Sequence, residues 1–280
     1  MEIINSVEKM RQRSRSWRGA GLTIGLVPTM GFFHQGHLSL MDQAIKLSQR
    51  VVVSLFVNPT QFGPSEDLDK YPRNEDRDIR LAEERGVHCL FMPRPEDIYT
   101  PGHQTWIEVT EVSKGLCGRS RPGHFRGVAT IVAKLFNIVE PDMAVFGEKD
   151  FQQLQIIRTM VRDLNFPVKI YGHPIVREDD GLAMSSRNTY LSPEERSQAL
   201  CLNQAVGLAR ELVLEGCRQR SEIEKKVRDL IASYPLARVD YIFIGDPETL
   251  KEPETVPSPA LIALAVHIGS TRLIDNGLIP

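Results

Sequence analysis

The chain has 280 residues, 41% of them hydrophobic and 25% charged, with 34 Lys and Arg against 36 Asp and Glu and a net charge of −2. This is the composition of a globular protein long enough for two domains, and it argues against a broad nucleic-acid or membrane-binding surface. No apolar run is long enough to span a bilayer and the N-terminus lacks a signal-peptide pattern, so a cytoplasmic protein is expected.

In chain order, Arg11, Arg13, Arg15 and Arg18 fall on a segment that reads as a helix face. Residues 22–27 are an apolar run that predicts a buried strand. Next comes Pro28-Thr29-Met30-Gly31-Phe32-Phe33-His34-Gln35-Gly36-His37, and then residues 38–47, apolar at helical spacing. The whole predicts a strand, a tight turn, and a helix whose first turn carries His-x-Gly-His. Unpaired N–H groups and the helix dipole favour an anion there. His34 and His37 are spaced to face one ligand, and Gly36 leaves room for a phosphate or ribose against the backbone. The alternative is a common strand-turn-helix with two solvated histidines.

Residues 50–57 are apolar without alternation, as in a central parallel strand, and end in Asn58-Pro59-Thr60-Gln61-Phe62-Gly63. A polar loop then leads to Asn74, which is expected to cap a helix through Arg85, closed by Gly86. Residues 87–92 predict a buried strand and 105–109 a more exposed one. The basic, turn-rich Gly118-Arg119-Ser120-Arg121-Pro122-Gly123-His124-Phe125-Arg126-Gly127 precedes a helix over 128–139. A strand at 143–146 exits through Gly147-Glu148-Lys149-Asp150 into a helix over 151–164, and another strand follows at 168–171. This alternation predicts an α/β fold, a doubly wound parallel sheet with helices on both faces.

Near residue 176 the pattern changes. Ser192-Pro193-Glu194-Glu195 combines a cap, a Pro at the first helical position and a capping-box Glu, opening a long helix to about Glu215. Ser221-Glu222-Ile223-Glu224 is expected to open another in the same way, and 239–244 and 261–268 read as strands. The expected organisation is a Rossmann-like domain over 1–175 and a smaller C-terminal α+β domain over 176–280.

Ligands of a doubly wound sheet bind beyond the carboxyl ends of its strands, where the distinctive polar residues of this chain cluster. Lys149 suits a phosphate, or is a surface lysine paired with Glu148 or Asp150. Asp150 can cap a helix or accept hydrogen bonds from a ribose diol. In Gly181-Leu182-Ala183-Met184-Ser185-Ser186-Arg187-Asn188, two hydroxyls and a guanidinium make a donor-rich turn suited to a triphosphate, unless it is a solvated interdomain turn. Gln61 and Gln153 suit a neutral polar substrate bearing hydroxyls. Phe62 and Phe151 are apolar walls beside them or core residues. Asp179-Asp180 reads as a solvated turn, not a metal pair. Cys89, Cys117, Cys201 and Cys217 are far apart and lack Cys-x-x-Cys spacing, which favours free thiols over zinc or a disulfide framework.

Five motifs carry a resemblance: Pro-Thr-Met-Gly-x-x-His-x-Gly-His (28–37), Phe-Val-Asn-Pro-x-Gln-Phe (56–62), Arg-Pro-Gly-His-Phe-x-Gly-Val (121–128), Phe-Gly-Glu-Lys-Asp-x-Gln-Gln (146–153) and Asp-Gly-Leu-Ala-Met-Ser-Ser-Arg-Asn-x-Tyr-Leu (180–191). In this order they resemble the pantoate–β-alanine ligase family, within the wider His-x-Gly-His nucleotidyltransferase group. Arg272-Leu273-Ile274-Asp275-Asn276 is similar to the family's ending. Phe32-Phe33 is bulkier than the family's usual pair, which bears on local packing.

The resemblance implies an ATP-dependent condensation of pantoate with β-alanine through a pantoyl adenylate, releasing AMP and pyrophosphate. It implies ATP contacts from Met30, Gly31, Phe32, Phe33, His34, Gln35, Gly36 and His37, with His37 a proton donor, and from Gly147, Glu148, Lys149 and Asp150. Val176 would meet the adenine, and Met184, Ser185, Ser186 and Arg187 complete the set. His34, His37, Lys149 and Arg187 carry the catalytic roles; Gln61, Gln153 and Asn58 bind pantoate, with Gln61 also near β-alanine. No protein-held metal is implied, since Mg²⁺ arrives on the phosphates of ATP. A homodimer is implied, with no nucleic-acid or membrane partner. The intermediate is easily hydrolysed, so residues 63–74 are expected to act as a lid. The rival readings are another His-x-Gly-His nucleotidyltransferase, a truncated aminoacyl-tRNA synthetase and a catalytically silent nucleotide-binding protein.

Overall fold

In the computed structural model, which describes residues 1–64, 66 and 68–280, the chain divides into two units. The first comprises Met1–Lys114, Gly118–Glu148 and Gln153–Pro174; the second comprises Gly115–Cys117, Lys149–Gln152 and Ile175–Pro280. Two short pieces from the N-terminal part of the chain, Lys149 among them, thus belong with the C-terminal unit.

The elements up to residue 174 are β1 (Glu2–Ile4), α1 (Val7–Gly19), β2 (Ile24–Thr29), α2 (Gln35–Leu47), β3 (Arg50–Leu55), α3 (Glu75–Glu84), β4 (Cys89–Phe91), the short α4 (Pro95–Ile98) and α5 (Cys117–Ser120), α6 (His124–Val139), β5 (Met143–Gly147), α7 (Phe151–Asp163) and β6 (Lys169–His173). The six strands form one parallel sheet in the order β1-β4-β3-β2-β5-β6. Val51, Val52 and Val53 are consecutive on β3 and all fully buried, so both faces of the sheet are covered. The chain winds outward from β2 to β3 and β4, then restarts at β5 on the other side of β2. The winding therefore reverses between β2 and β5, and a crevice at such a switch point is where open α/β sheets take ligands.

The second unit carries α8 (Pro193–Ala199), α9 (Cys201–Leu214), α10 (Arg220–Ala232) and an antiparallel sheet of β7 (Ala237–Gly245), β8 (Ala260–Ile268) and β9 (Thr271–Ile279) in that order. Its core packs Leu202, Ala205 and Ala209 of α9 with Ile223, Val227 and Ile231 of α10 and Ile262, Leu264 and Val266 of β8. Among the described residues, no helix is long and apolar enough to cross a membrane.

Several expected elements differ. Residues 105–109 form no strand: Ile107 N–H donates to Thr130 Oγ1 of α6 at 3.0 Å, and Trp106 lies under the Arg126 guanidinium at 5.1 Å. The segment runs across a helix, so its alternation reflects one apolar and one exposed side with no neighbouring strand. The expected long helix over 192–215 is two helices meeting at Leu200, with neither Gly nor Pro at the break. Ser221 is not a cap. The helix starts at Arg220 because 218–220 pairs with 254–256: Arg220 N–H donates to Glu254 O at 3.0 Å and Val256 N–H to Arg218 O at 2.9 Å. Tertiary pairing sets this end where the sequence offered a side chain. The helix expected from Val128 begins at His124, directly after Gly123. The caps at Asn74 and Ser192 are as read, the latter with its reciprocal Glu195 bond.

Candidate active site

The turn after β2 is built by two constraints. Gly31 and Phe32 both adopt positive φ, +87° and +52°, and for Phe32 that conformation is strained. Asp78 of α3, 1% exposed, holds it: its two carboxylate oxygens accept from Phe32 N–H at 2.6 Å and Phe33 N–H at 2.7 Å. Burial pushes the Asp78 carboxyl above its usual range, against the opposing pull of these two N–H donors and the nearby Arg77 charge. Arg77 also sits over the Phe32 ring at 5.5 Å. Phe33 is fully buried among Val27, Leu38, Met41 and Val51, so its bulk fills core and packs 5.7 Å from the His37 ring. Sequence reading missed Asp78, one acid in a run of exposed charges; only its position on the apolar side of α3 marks it.

His34 is the N-cap of α2. Its Nδ1 accepts from Gly36 N–H at 3.1 Å, and His37 Nδ1 accepts from His34 N–H at 3.3 Å, with the rings 4.1 Å apart. This is a capping box made of two imidazoles. An Nδ1 that accepts a backbone proton leaves the ring's own proton on Nε2. Both rings are thereby held in one tautomer and one orientation at a helix N-terminus, with the ring proton on Nε2. A cavity of about 380 Å³ adjoins the turn, lined by Met30, Gly31, Phe32, Phe56, Arg73 and Asp78 among others.

Gln61 and Asn58, both buried, come together after β3. Asn58 Nδ2 donates to Gln61 Oε1 and to Gly127 O, each at 3.2 Å, and Gln61 Nε2 reaches Met30 Sδ at 3.0 Å. The amide of Gln61 is thus tied to the turn after β2. A Cβ on Gly127 would lie 2.8 Å from Gln61 N, so only glycine lets α6 pass this closely. Gln153 lies on the first turns of α7, half-buried. Gly147 ends β5, paired with His173, and Glu148 follows it. Of the stretch 63–74, Ser65 and Asp67 lie outside the described residues; Tyr71 is buried and Glu66 pairs with Arg121.

In the second unit, Lys149 and Asp150 sit on the turn that opens α7, with Lys149 Nζ 3.9 Å from Asp150 Oδ2. Asn276 Nδ2 on β9 donates to Lys149 O at 2.8 Å. The neighbouring Asp275, 2% exposed, takes a bidentate bond from Arg177 at 2.7 and 2.9 Å, and Arg177 also donates to Gly181 O. The two strands of this loop are joined where Met184 N–H donates to Val176 O at 3.0 Å. Ser185 caps a 3₁₀ turn, Ser186–Tyr190, its Oγ accepting from Arg187 N–H. Two adjacent residues of β9 therefore hold both the Lys149 turn and the Met-Ser-Ser-Arg loop. Sequence reading matched this ending to a family without finding its job. Asp180 accepts from Leu182 N–H and pairs with Arg196, a turn as expected. Phe151 packs with Phe243, Leu261 and Ala263 and is core. The four thiols are unpaired with one another, and burial pushes Cys89 and Cys201 up to about 12.

Set against known proteins, residues 2–278 match the sequence model of the pantoate-beta-alanine ligase family. The chain is 55% identical to the pantothenate synthetase of Syntrophobacter fumaroxidans over 276 residues, which cover 99% of this chain and 98% of that protein. Its fold is similar to the crystal structure of pantothenate synthetase from Thermus thermophilus, with TM-score 0.93 and 44% identity over the whole of both chains. It is also similar to the pantoate-beta-alanine ligase of Francisella tularensis complexed with beta-gamma ATP and beta-alanine, with TM-score 0.80, 34% identity, and 99% and 97% of the two chains covered.

Proposed function

The chain belongs to the pantoate–β-alanine ligase family, and from that premise we propose how its residues carry out the family reaction, the ATP-dependent condensation of pantoate with β-alanine. A pantoate carboxylate oxygen attacks the α-phosphorus of ATP; the bond to the bridging oxygen breaks, and pyrophosphate leaves with the electron pair. The amine of β-alanine then attacks the acyl carbon of pantoyl adenylate, AMP departs, and the nitrogen loses a proton to give the amide.

Charge on the transferring phosphoryl group must be met by fixed donors, since the reaction needs positioning and compensation more than a covalent nucleophile. In our reading, His34 and His37 donate from Nε2 to phosphate oxygens, while Lys149, Ser185, Ser186 and Arg187 hold the triphosphate. Gly147 and Asp150 take the ribose and the backbone of Val176 the adenine. Gln61, Asn58 and Gln153 bind the hydroxyls of pantoate, with Gln61 also next to β-alanine. Mg²⁺ enters as part of the substrate MgATP, its ligands chiefly phosphate oxygens. The reading includes a homodimer formed through the first unit and a cytoplasmic site of action, where ATP is abundant and free thiols stay reduced.

The observation that carries this assignment is the reciprocal imidazole capping box at the start of α2. Each ring spends Nδ1 on the backbone, which supports reading both as Nε2–H donors to a phosphate. The test is product analysis. With ATP and pantoate alone, pyrophosphate and adenylate should form in amounts comparable to the enzyme, and steady release of AMP should require β-alanine. Transfer of AMP to a phosphate-bearing acceptor, giving a dinucleotide, would instead identify another nucleotidyltransferase.

A further inference from the structure

The motif Arg121-Pro122-Gly123-His124 has no part in the reading of the ATP site, yet it converges on Gln61. His124 Nδ1 lies 2.8 Å from the main-chain carbonyl oxygen of Gln61. A carbonyl only accepts, so the ring proton is on Nδ1, the reverse of the tautomer at His34 and His37. Nε2 of His124 is then the acceptor, and Arg121 Nη1 donates to it at 3.0 Å. Arg121 Nη2 reaches the same Gln61 carbonyl at 3.4 Å, and its Nε meets the Glu66 carboxylate at 3.0 and 3.1 Å. The guanidinium is thus fixed on one side by a carboxylate and on the other by an imidazole.

Side chains anchor the segment they grip, Tyr99 Oη donating to Asn58 Oδ1 at 2.9 Å and Asn58 Nδ2 to Gly127 O at 3.2 Å, but its own backbone bonds are weak. Pro59–Gln61 is a single 3₁₀ turn, whose hydrogen bonds, Gln61 N–H to Asn58 O and Phe62 N–H to Pro59 O, are long at 3.4 and 3.3 Å. Short 3₁₀ turns have poor bond geometry, and a terminal carbonyl needs an outside partner. A rotation of the Gln61 peptide would swing its side-chain amide away from Asn58 and Met30.

We propose that Arg121 and His124 are positioning residues for the acid substrate: by clamping the Gln61 carbonyl they set the angle at which the Gln61 amide meets the hydroxyls of pantoate. The proposal rests on the reading of Gln61 as a pantoate ligand. Misplacing a substrate-orienting group by about 1 Å is a loss on the order of a hundredfold, so partial loosening should raise the pantoate KM by about tenfold or more. The ATP KM, set elsewhere, should stay within about twofold.

The experiment compares His124→Ala, His124→Asn and His124→Gln with Gln61→Ala in the full chain, reading KM for pantoate and for ATP, kcat and melting temperature. An Asn amide nitrogen occupies the place of Nδ1 and restores the donor to Gln61 O; a Gln amide nitrogen matches Nε2 and does not. The expected result is a raised pantoate KM in the Ala and Gln variants, rescue by Asn, and an unmoved ATP KM. A pantoate KM that is equal in His124→Asn and His124→Gln while Gln61→Ala raises it would overturn the positioning role and leave the Gln61 assignment standing. An unchanged pantoate KM in Gln61→Ala would overturn that assignment and the inference with it. If His124→Ala fails to fold, the Asn and Gln pair still decides.

Discussion

A carboxylate with two backbone N–H bonds and almost no exposure has to trade desolvation against hydrogen bonding, and at Asp78 desolvation wins. The sign has a consequence for pH. A group whose folded pKa is raised contributes stability below its unfolded pKa and loses it as pH rises through the folded value. Glu66 is the opposite case: burial raises its carboxyl, but the hydrogen bond and charge of Arg121 outweigh burial and hold it below the usual range. Its contribution is present above the unfolded value and lost as pH falls through the folded one. Denaturant melts from about pH 2.5 to pH 7, spanning both sides of the ordinary carboxylate values, should therefore show opposite trends. Wild type should lose stability relative to Asp78→Asn as pH rises and gain it relative to Glu66→Gln. Parallel trends would contradict the two assignments. Asp78→Asn also leaves one turn N–H without its acceptor, and the ATP KM should rise by about tenfold. Removing a cation or a hydrogen-bond donor that acts in the transition state is a larger loss. Lys149→Ala, with little change in melting temperature, and His37→Ala, which also removes a helix cap, should each lower kcat by more than about a hundredfold, and near-normal turnover in either would reject its role.

At the scale of elements, β9 explains what a pattern search can and cannot find. Its centre, Asp275-Asn276-Gly277, breaks the apolar alternation that marks a strand, and the sequence offered no strand there. Those polar residues are spent on Arg177 and on the carbonyl of Lys149, so the feature that hid the strand is the one that ties down the loops. Asn276→Ala should accordingly raise the ATP KM by about tenfold while leaving the pantoate KM within about twofold; equal effects on both would mean a general loosening of the unit. By contrast, the caps at Asn74 and Ser192, the glycine that closes α3 and the unbroken apolar runs of β2 and β3 depend on neighbours in sequence, and each was legible. The start of α10, fixed by pairing with residues 254–256, depends on a partner more than thirty residues away and was not.

For the whole molecule, the doubly wound sheet followed from the alternation of strands and helices, and its switch point between β2 and β5 puts the His-x-Gly-His turn where such sheets take ligands. Which side chains support that turn could not be read from the chain, because Asp78 lies 46 residues beyond Phe32 and looks like any surface acid in the sequence. Nor did composition reveal that Lys149 belongs with the C-terminal unit while the two imidazoles belong with the other. The function proposed above assigns residues of both units to one ATP. The direct measurement is a titration of the full chain, ¹⁵N-labelled at histidine, with a non-hydrolysable ATP analogue and Mg²⁺, following the ring nitrogens of His34 and His37 in wild type and in Lys149→Ala. The proposed reading, in which His34, His37 and Lys149 all hold one triphosphate, predicts saturation at one equivalent in wild type and a midpoint shifted upward by about tenfold or more in the variant. Identical midpoints in the two proteins would contradict it.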